Sequence, residues 1–132
     1  MVMKKVVLDT NIVIEILRGN EAVMNQVSIY DSVCLPVTVC GELLFGAYNS
    51  SKIDSEIIKY HNFLATTEIL EINIAVVENY ALIRSKLKQK GRPIPENDIW
   101  IAAIAITNDI VLMSNDGHFS EIESLNFVHI KK

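Results

Sequence analysis

Asp9, Glu42, Asp98 and Asp116 are the residues of this chain best suited to do chemistry together. Each sits where an apolar run gives way to polar residues, or just inside the run that follows. Carboxylates gathered at one point repel one another and raise each other's pKa unless a cation neutralises them. An all-oxygen donor set without cysteine or histidine suits Mg²⁺ or Mn²⁺. Such a site commonly activates water for attack on a phosphodiester and shields the charge that develops. No Ser-His-Asp or Cys-His arrangement supplies a protein nucleophile instead. Each acid also has a plainer role open to it. Asp9 or Asn11 can cap the helix that follows. Glu42 can point to solvent, Asp98 can serve as a helix N-cap or first-turn acid, and Asp116-Gly117 is a good turn signal.

The four acids meet only if the elements around them bring them together. Lys4 to Leu8 is a short valine-rich run that reads as a buried strand. A short helix from Ile12 to Leu17 follows, broken at Arg18-Gly19-Asn20, with a second helix over Glu21 to Tyr30. Val33 to Val37 is a strand ending near Pro36. Thr38 is then the expected N-cap of a helix running to Tyr48, with Glu42 in its first turns. Ser55 to Ala65 suits a helix, Glu68 to Ile72 a third strand, and Ala75 to Gln89 shows clear helical period. Pro93 to Asp98 is expected as a rigid loop with no helix inside it. It launches Ile99 to Ile106, apolar on all sides and therefore a buried helix. Ala102 and Ala105 share the face of Asp98, so the helix can approach the sheet closely. Asp109 to Met113 is a fourth strand, and Asn126 to Ile130 a last one. Strands alternate with helices throughout, which is the pattern of an α/β domain with a mostly parallel sheet. In such a sheet, strand C-termini and helix N-termini lie on one side, so all four acids can converge there.

Composition sets the bounds. The 132 residues suffice for one domain with a proper core, taken as 1–132, and half are hydrophobic. No apolar run approaches the roughly 20 residues of a membrane span. Asp9 interrupts the N-terminal apolar stretch too early for a signal peptide, so the expected location is cytoplasmic. Cys34 and Cys40 read as buried thiols of a reducing compartment. The net charge is −4. Setting the four candidate ligands aside leaves 12 of the 16 acids against 12 basic residues. Mild acidity therefore does not exclude a nucleic-acid substrate, though it argues against tight non-specific binding. Arg84, Lys86, Lys88, Lys90 and Arg92 place cations at a helix C-terminus, where they complement the dipole. A role in steering phosphate is the other reading of that cluster.

The chain resembles the PIN-domain ribonucleases, and among them the VapC-type toxins of toxin–antitoxin pairs. The resemblance is carried by Val7-Leu8-Asp9-Thr10-Asn11 with Arg18-Gly19, Gly41-Glu42-Leu43 with Gly46, Asn97-Asp98 with Ile101-Ala102-Ala103, and Ser114-Asn115-Asp116 with His118-Phe119. It implies a PIN-like three-layer α/β/α sandwich, with metal held by Asp9, Glu42, Asp98 and Asp116, the last often acting through water. Asn11 resembles the family's amide that steadies the first aspartate, with Thr10 close by. Ser114 stands where threonine is usual and keeps the hydroxyl. The resemblance further implies a homodimer, a cognate VapB-type antitoxin whose C-terminal segment lies over the site, and Mg²⁺- or Mn²⁺-dependent cleavage of structured RNA, such as transfer or ribosomal RNA. Arg18, Lys86, Lys88, Lys90 and Arg92 are the candidates for holding that RNA. Other readings are a catalytically silent PIN-like binding module and a solitary PIN nuclease of RNA processing. A haloacid-dehalogenase-like phosphatase would need a second acid where this chain has Asn11.

Overall fold

Val6, Val7 and Leu8 are all fully buried, although successive side chains of a strand point to opposite faces. Both faces of the strand they form are therefore covered. The computed structural model describes residues 3–130. In chain order these form β1 (Lys5–Leu8), α1 (Thr10–Leu17), α2 (Glu21–Val27), β2 (Ser32–Pro36), α3 (Val37–Tyr48), α4 (Ile53–Leu64) and β3 (Glu68–Leu70). Then come α5 (Ile74–Lys90), α6 (Glu96–Asn108), β4 (Val111–Ser114), a 3-10 helix (Gly117–Glu121) and β5 (Phe127–His129). The strands make one sheet in the order β3-β2-β1-β4-β5, and each pairing is parallel. Helices flank it to give the three-layer α/β/α arrangement expected. No helix among the described residues is long and apolar enough to cross a membrane.

The strand order reverses at β1, which lies between β2 and β4. Ligand crevices of open α/β sheets form beyond the strand ends at such a switch point. In the β1–β4 register Leu8 faces Met113, and the Asp9 N–H donates to the Met113 carbonyl at 3.1 Å. Asp9 and Ser114 thus leave the sheet as neighbours.

The most buried helix is α6, in which Ile101, Ala102, Ala103, Ile104 and Ala105 have no exposed surface. Three alanines in that run keep the backbone close to its neighbours. Tyr80 of α5 stacks on Trp100 of α6 with ring centroids 3.8 Å apart. The Tyr80 hydroxyl donates to Glu96 and accepts from Arg84 at 2.7 Å. These contacts anchor the first turn of α6.

Several boundaries differ from the sequence reading, three of them beside prolines or at a left-handed residue. α6 begins at Glu96, after Pro95, so the expected loop already contains its first turn. A proline restricts the residue before it, here Ile94, and leaves the residues after it free to be helical. α3 starts at Val37, so Thr38 lies inside the helix and does not cap it, and its buried hydroxyl has no hydrogen-bond partner. Asp109 belongs to the end of α6, in the left-handed region at φ 52°, and the fourth strand starts two residues later. The α5 terminus agrees with expectation: Gly91 closes it at φ 67°, a conformation glycine adopts without a Cβ penalty. Cys34 and Cys40 are free and buried, also as expected.

Candidate active site

Asp9 ends the extended backbone of β1 and caps α1. Its Oδ1 accepts from the Thr10 N–H at 2.7 Å, and its Oδ2 accepts from the Ser114 hydroxyl at 2.7 Å. Only 6% of Asp9 is exposed and Ser114 is fully buried. Burial pushes the Asp9 carboxyl above the usual range, the bonds from Ser114 and Thr10 oppose this, and the Asp116 charge adds to the rise. Capping and site roles coincide here, because a cap engages one oxygen and leaves the other for the strand beside it.

Glu42 lies on an exposed stretch of α3, yet its head group is held. Its Oε1 accepts from the Thr10 hydroxyl at 2.9 Å and also from the Asn97 amide. The first turns of α1 and α6 and the second turn of α3 therefore meet at one carboxylate. Burial raises the Glu42 pKa most, with Asp9 adding to it and the Thr10 and Asn97 bonds lowering it.

Asp98, next to Asn97, is pushed up to about 6, first by burial and then by the charge of Asp9. The His118 ring stands between Asp98 and Asp116. Its Nε2 lies 2.7 Å from Asp98 Oδ2 and its Nδ1 lies 2.8 Å from Asp116 Oδ1. The Nε2 atom is buried and close to Asp98 without the alignment of a hydrogen bond. Asp116 caps the 3-10 helix by accepting from the His118 N–H at 3.2 Å, so the turn reading and the site reading again coincide. The Asp116 N–H donates to Ser114 Oγ at 3.0 Å. A chain of contacts thus runs from Asp98 through His118, Asp116 and Ser114 to Asp9, and through Thr10 to Glu42.

The structure therefore brings together all four predicted acids, with Thr10 and Ser114 as the side chains that hold them. One donor atom from each of Asp98, Asp116 and His118 lies within 4.8 Å of the others, a spacing that one ion can bridge. The helix N-termini at this edge carry partial positive charge that favours anions, while burial first, and then the charges of neighbouring acids, raise the carboxyls of Asp9, Glu42 and Asp98 above the usual range. A donor set of this kind accommodates a divalent cation.

Asn11 is exposed, and the bonds to Asp9 come from Thr10 and Ser114, so the steadying role expected of Asn11 falls to Ser114. Arg18 closes α1 at the end remote from Asp9, about 12 Å along the helix, and contacts Glu15 at 3.8 Å. It does not join the cluster. Lys86, Lys88, Lys90 and Arg92 are exposed at the end of α5 and beyond it. Lys90 is engaged by Glu121, donating to its carbonyl at 2.7 Å. Lys88 borders a cleft it shares with Pro93, Ile94 and Glu96, on the approach to the first turn of α6. Sequence reasoning missed His118 and Asn97. Asn97 adjoins Asp98, and His118 follows Asp116 by two positions, but neither spacing discloses the carboxylate that each meets across the fold.

A PIN-domain profile matches residues 6–125. The chain belongs to the PIN-domain family, in its VapC ribonuclease group. Ribonuclease VapC2 of Haemophilus influenzae strain Rd is 31% identical over 116 residues, covering 86% of this chain and 88% of that protein. The tRNA(fMet)-specific endonuclease VapC of Shigella flexneri is 26% identical over 116 residues, with 86% and 88% covered. Among solved structures, VapBC2 from Rickettsia felis bound to a DNA fragment from its promoter superposes with a TM-score of 0.89 at 26% identity, covering 96% of this chain and 99% of that one. VapBC-1 from nontypeable Haemophilus influenzae gives 0.88 at 27% identity, with 95% and 97% covered. The PIN architecture of this chain is thus matched almost end to end.

Proposed function

We propose that this VapC-type PIN protein is the toxin of a toxin–antitoxin pair, a divalent-cation-dependent endoribonuclease acting on structured RNA such as transfer or ribosomal RNA. The observation that carries the reading is the contact chain linking Asp9, Glu42, Asp98 and Asp116, whose acids stay close at an electrostatic cost that a cation would remove. Asp9, Glu42, Asp98 and Asp116 are the proposed holders of Mg²⁺ or Mn²⁺. A divalent ion there supplies a water nucleophile at neutral pH and offsets negative charge on the phosphate. Ser114 and Thr10 hold the Asp9 carboxylate, while Thr10 and Asn97 aim that of Glu42. No protein nucleophile is required. The proposed partners are a VapB-type antitoxin, in keeping with the toxin–antitoxin complexes this chain superposes on, and a second copy of the chain.

Purified, antitoxin-free protein incubated with total cellular RNA tests this directly. Discrete fragments are expected with Mg²⁺ or Mn²⁺, none with chelator, and none from Asp9→Asn prepared identically. Cleavage that persists in chelator or in the variant would overturn the reading.

The exposed cations at the end of α5 are proposed to hold RNA phosphate, Lys88 above all because it borders an open cleft that reaches Glu96 and Ile99 at the start of α6. Lys88→Glu with Lys90→Glu is expected to raise KM and to flatten the salt dependence of binding, by about 0.7 in log–log slope for each phosphate that is no longer neutralised. An unchanged slope would return these lysines to completing the helix dipole alone.

A further inference from the structure

Beyond the four acids, we infer that His118 is itself a metal ligand, binding through Nε2 beside Asp98, while Asp116 orients the ring through Nδ1. The inference deepens the metal reading above and rests on it. A neutral imidazole has one N–H and one lone pair, yet both ring nitrogens of His118 face carboxylate oxygens at 2.7 and 2.8 Å. One N–H satisfies one of those carboxylates only. Nε2 is buried, and its approach to Asp98 lacks the alignment of a hydrogen bond. A cation between Nε2 and Asp98 Oδ2 turns the facing of two electron-rich atoms into two coordinate bonds.

The rest of the ring's surroundings suit a ligand. Metal-binding histidines typically give their second nitrogen to a carboxylate, which fixes tautomer and ring plane, and Asp116 Oδ1 stands where that partner belongs. The Asp116 carboxylate is in turn fixed by the His118 N–H at 3.2 Å, and its own N–H by Ser114. Phe119, fully buried, packs against the imidazole with centroids 4.9 Å apart. Behind the loop, His129 contacts the Asn115 carbonyl at 3.1 Å, and its ring would lie 3.3 Å from a Cβ added to Gly117. The loop carrying His118 is thus held from both sides and cannot readily swing the ring away.

The consequence is a change in metal preference. Carboxylate and water ligands suit Mg²⁺ and Mn²⁺ alike, whereas imidazole favours first-row transition ions. A site with one nitrogen donor therefore prefers Mn²⁺ to Mg²⁺, and this preference resides in His118.

Pulsed EPR of the full-length protein loaded with Mn²⁺ alone tests this without reference to activity. Wild type is expected to show directly coordinated nitrogen, with the coupling altered when histidine is supplied as the ¹⁵N isotope. His118→Gln should lose the coupling and His129→Gln should keep it. Titration by Mn²⁺ EPR should show His118→Gln binding Mn²⁺ at least roughly tenfold more weakly, with Mg²⁺ competition changed less. Bound Mn²⁺ without nitrogen coupling in wild type would overturn the ligand role and leave the carboxylate site standing, His118 then being a clamp between two acids. Failure of wild type to bind Mn²⁺ at all would overturn the metal reading beneath it. Because wild type alone decides the nitrogen question, a poorly folded variant does not spoil the test.

Discussion

Asp98→Asn is expected to abolish RNA cleavage while making the metal-free protein more heat-stable. The two effects have one cause. Asp98 is half-buried beside the Asp9 charge, and its carboxyl is pushed up to about 6 by burial and that neighbour. An amide of the same shape removes one of the clustered charges, so the folded chain without metal loses repulsion. At this chain length each kcal/mol relieved raises Tm by roughly 3–5 °C. The same amide weakens a cation site whose contribution to charge stabilisation is several kcal/mol, or about a thousandfold in rate. The measurement is a pair of melting curves in chelator together with cleavage of one RNA. Added Mn²⁺ should raise Tm in wild type and leave Asp98→Asn nearly unmoved. A variant that is less stable without metal, or that cuts at the wild-type rate, would remove Asp98 from the site.

The second large effect concerns pH, and its sign follows from proton accounting. Asp98 holds its proton to about pH 6 when folded, against an ordinary value of 3.8. Asp9 and Glu42 are shifted in the same direction, chiefly by burial. Between those values the folded chain binds more protons than the unfolded one, so stability falls as pH rises. These groups help most while protonated and lose that advantage as pH climbs through the folded pKa. The metal-free protein should therefore lose stability from about pH 4 to about pH 6.5 on account of this cluster. Metal reverses the trend, because cations bind the deprotonated acids. The Tm gained from saturating Mn²⁺ should widen as pH rises over the same interval. Melting curves in chelator and in Mn²⁺ across that range decide it. A metal-induced gain independent of pH would mean that these carboxylates do not titrate against the ion.

Much of the site was legible in sequence because local rules place its parts. A valine-rich strand must stop somewhere, and Val6 to Leu8 stops on Asp9. Alanines in the α6 run permit close packing, and Ala102, Ala103 and Ala105 are indeed fully buried around it. Alternating elements imply a parallel sheet, and that puts strand C-termini and helix N-termini on one edge. Two of the boundaries that failed are those where a proline opens a helix: Pro36 displaced Thr38 from its expected cap, and Pro95 let α6 begin at Glu96.

What the sequence alone determined is therefore the α/β class, the buried runs and the four acids near strand and helix ends. The tertiary structure decided which side chains those acids meet. Ser114 reaches Asp9 across 105 positions and Asn97 reaches Glu42 across 55, and His118 comes to rest against Asp98 through the turn that Asp116 caps. Such pairings depend on strand order and register, which arise from packing both sheet faces at once. Periodicity reports only which face of one element is apolar. It carries no information on which neighbour completes a carboxylate's hydrogen bonds, and so His118 could be read in the sequence but not seen as part of the site.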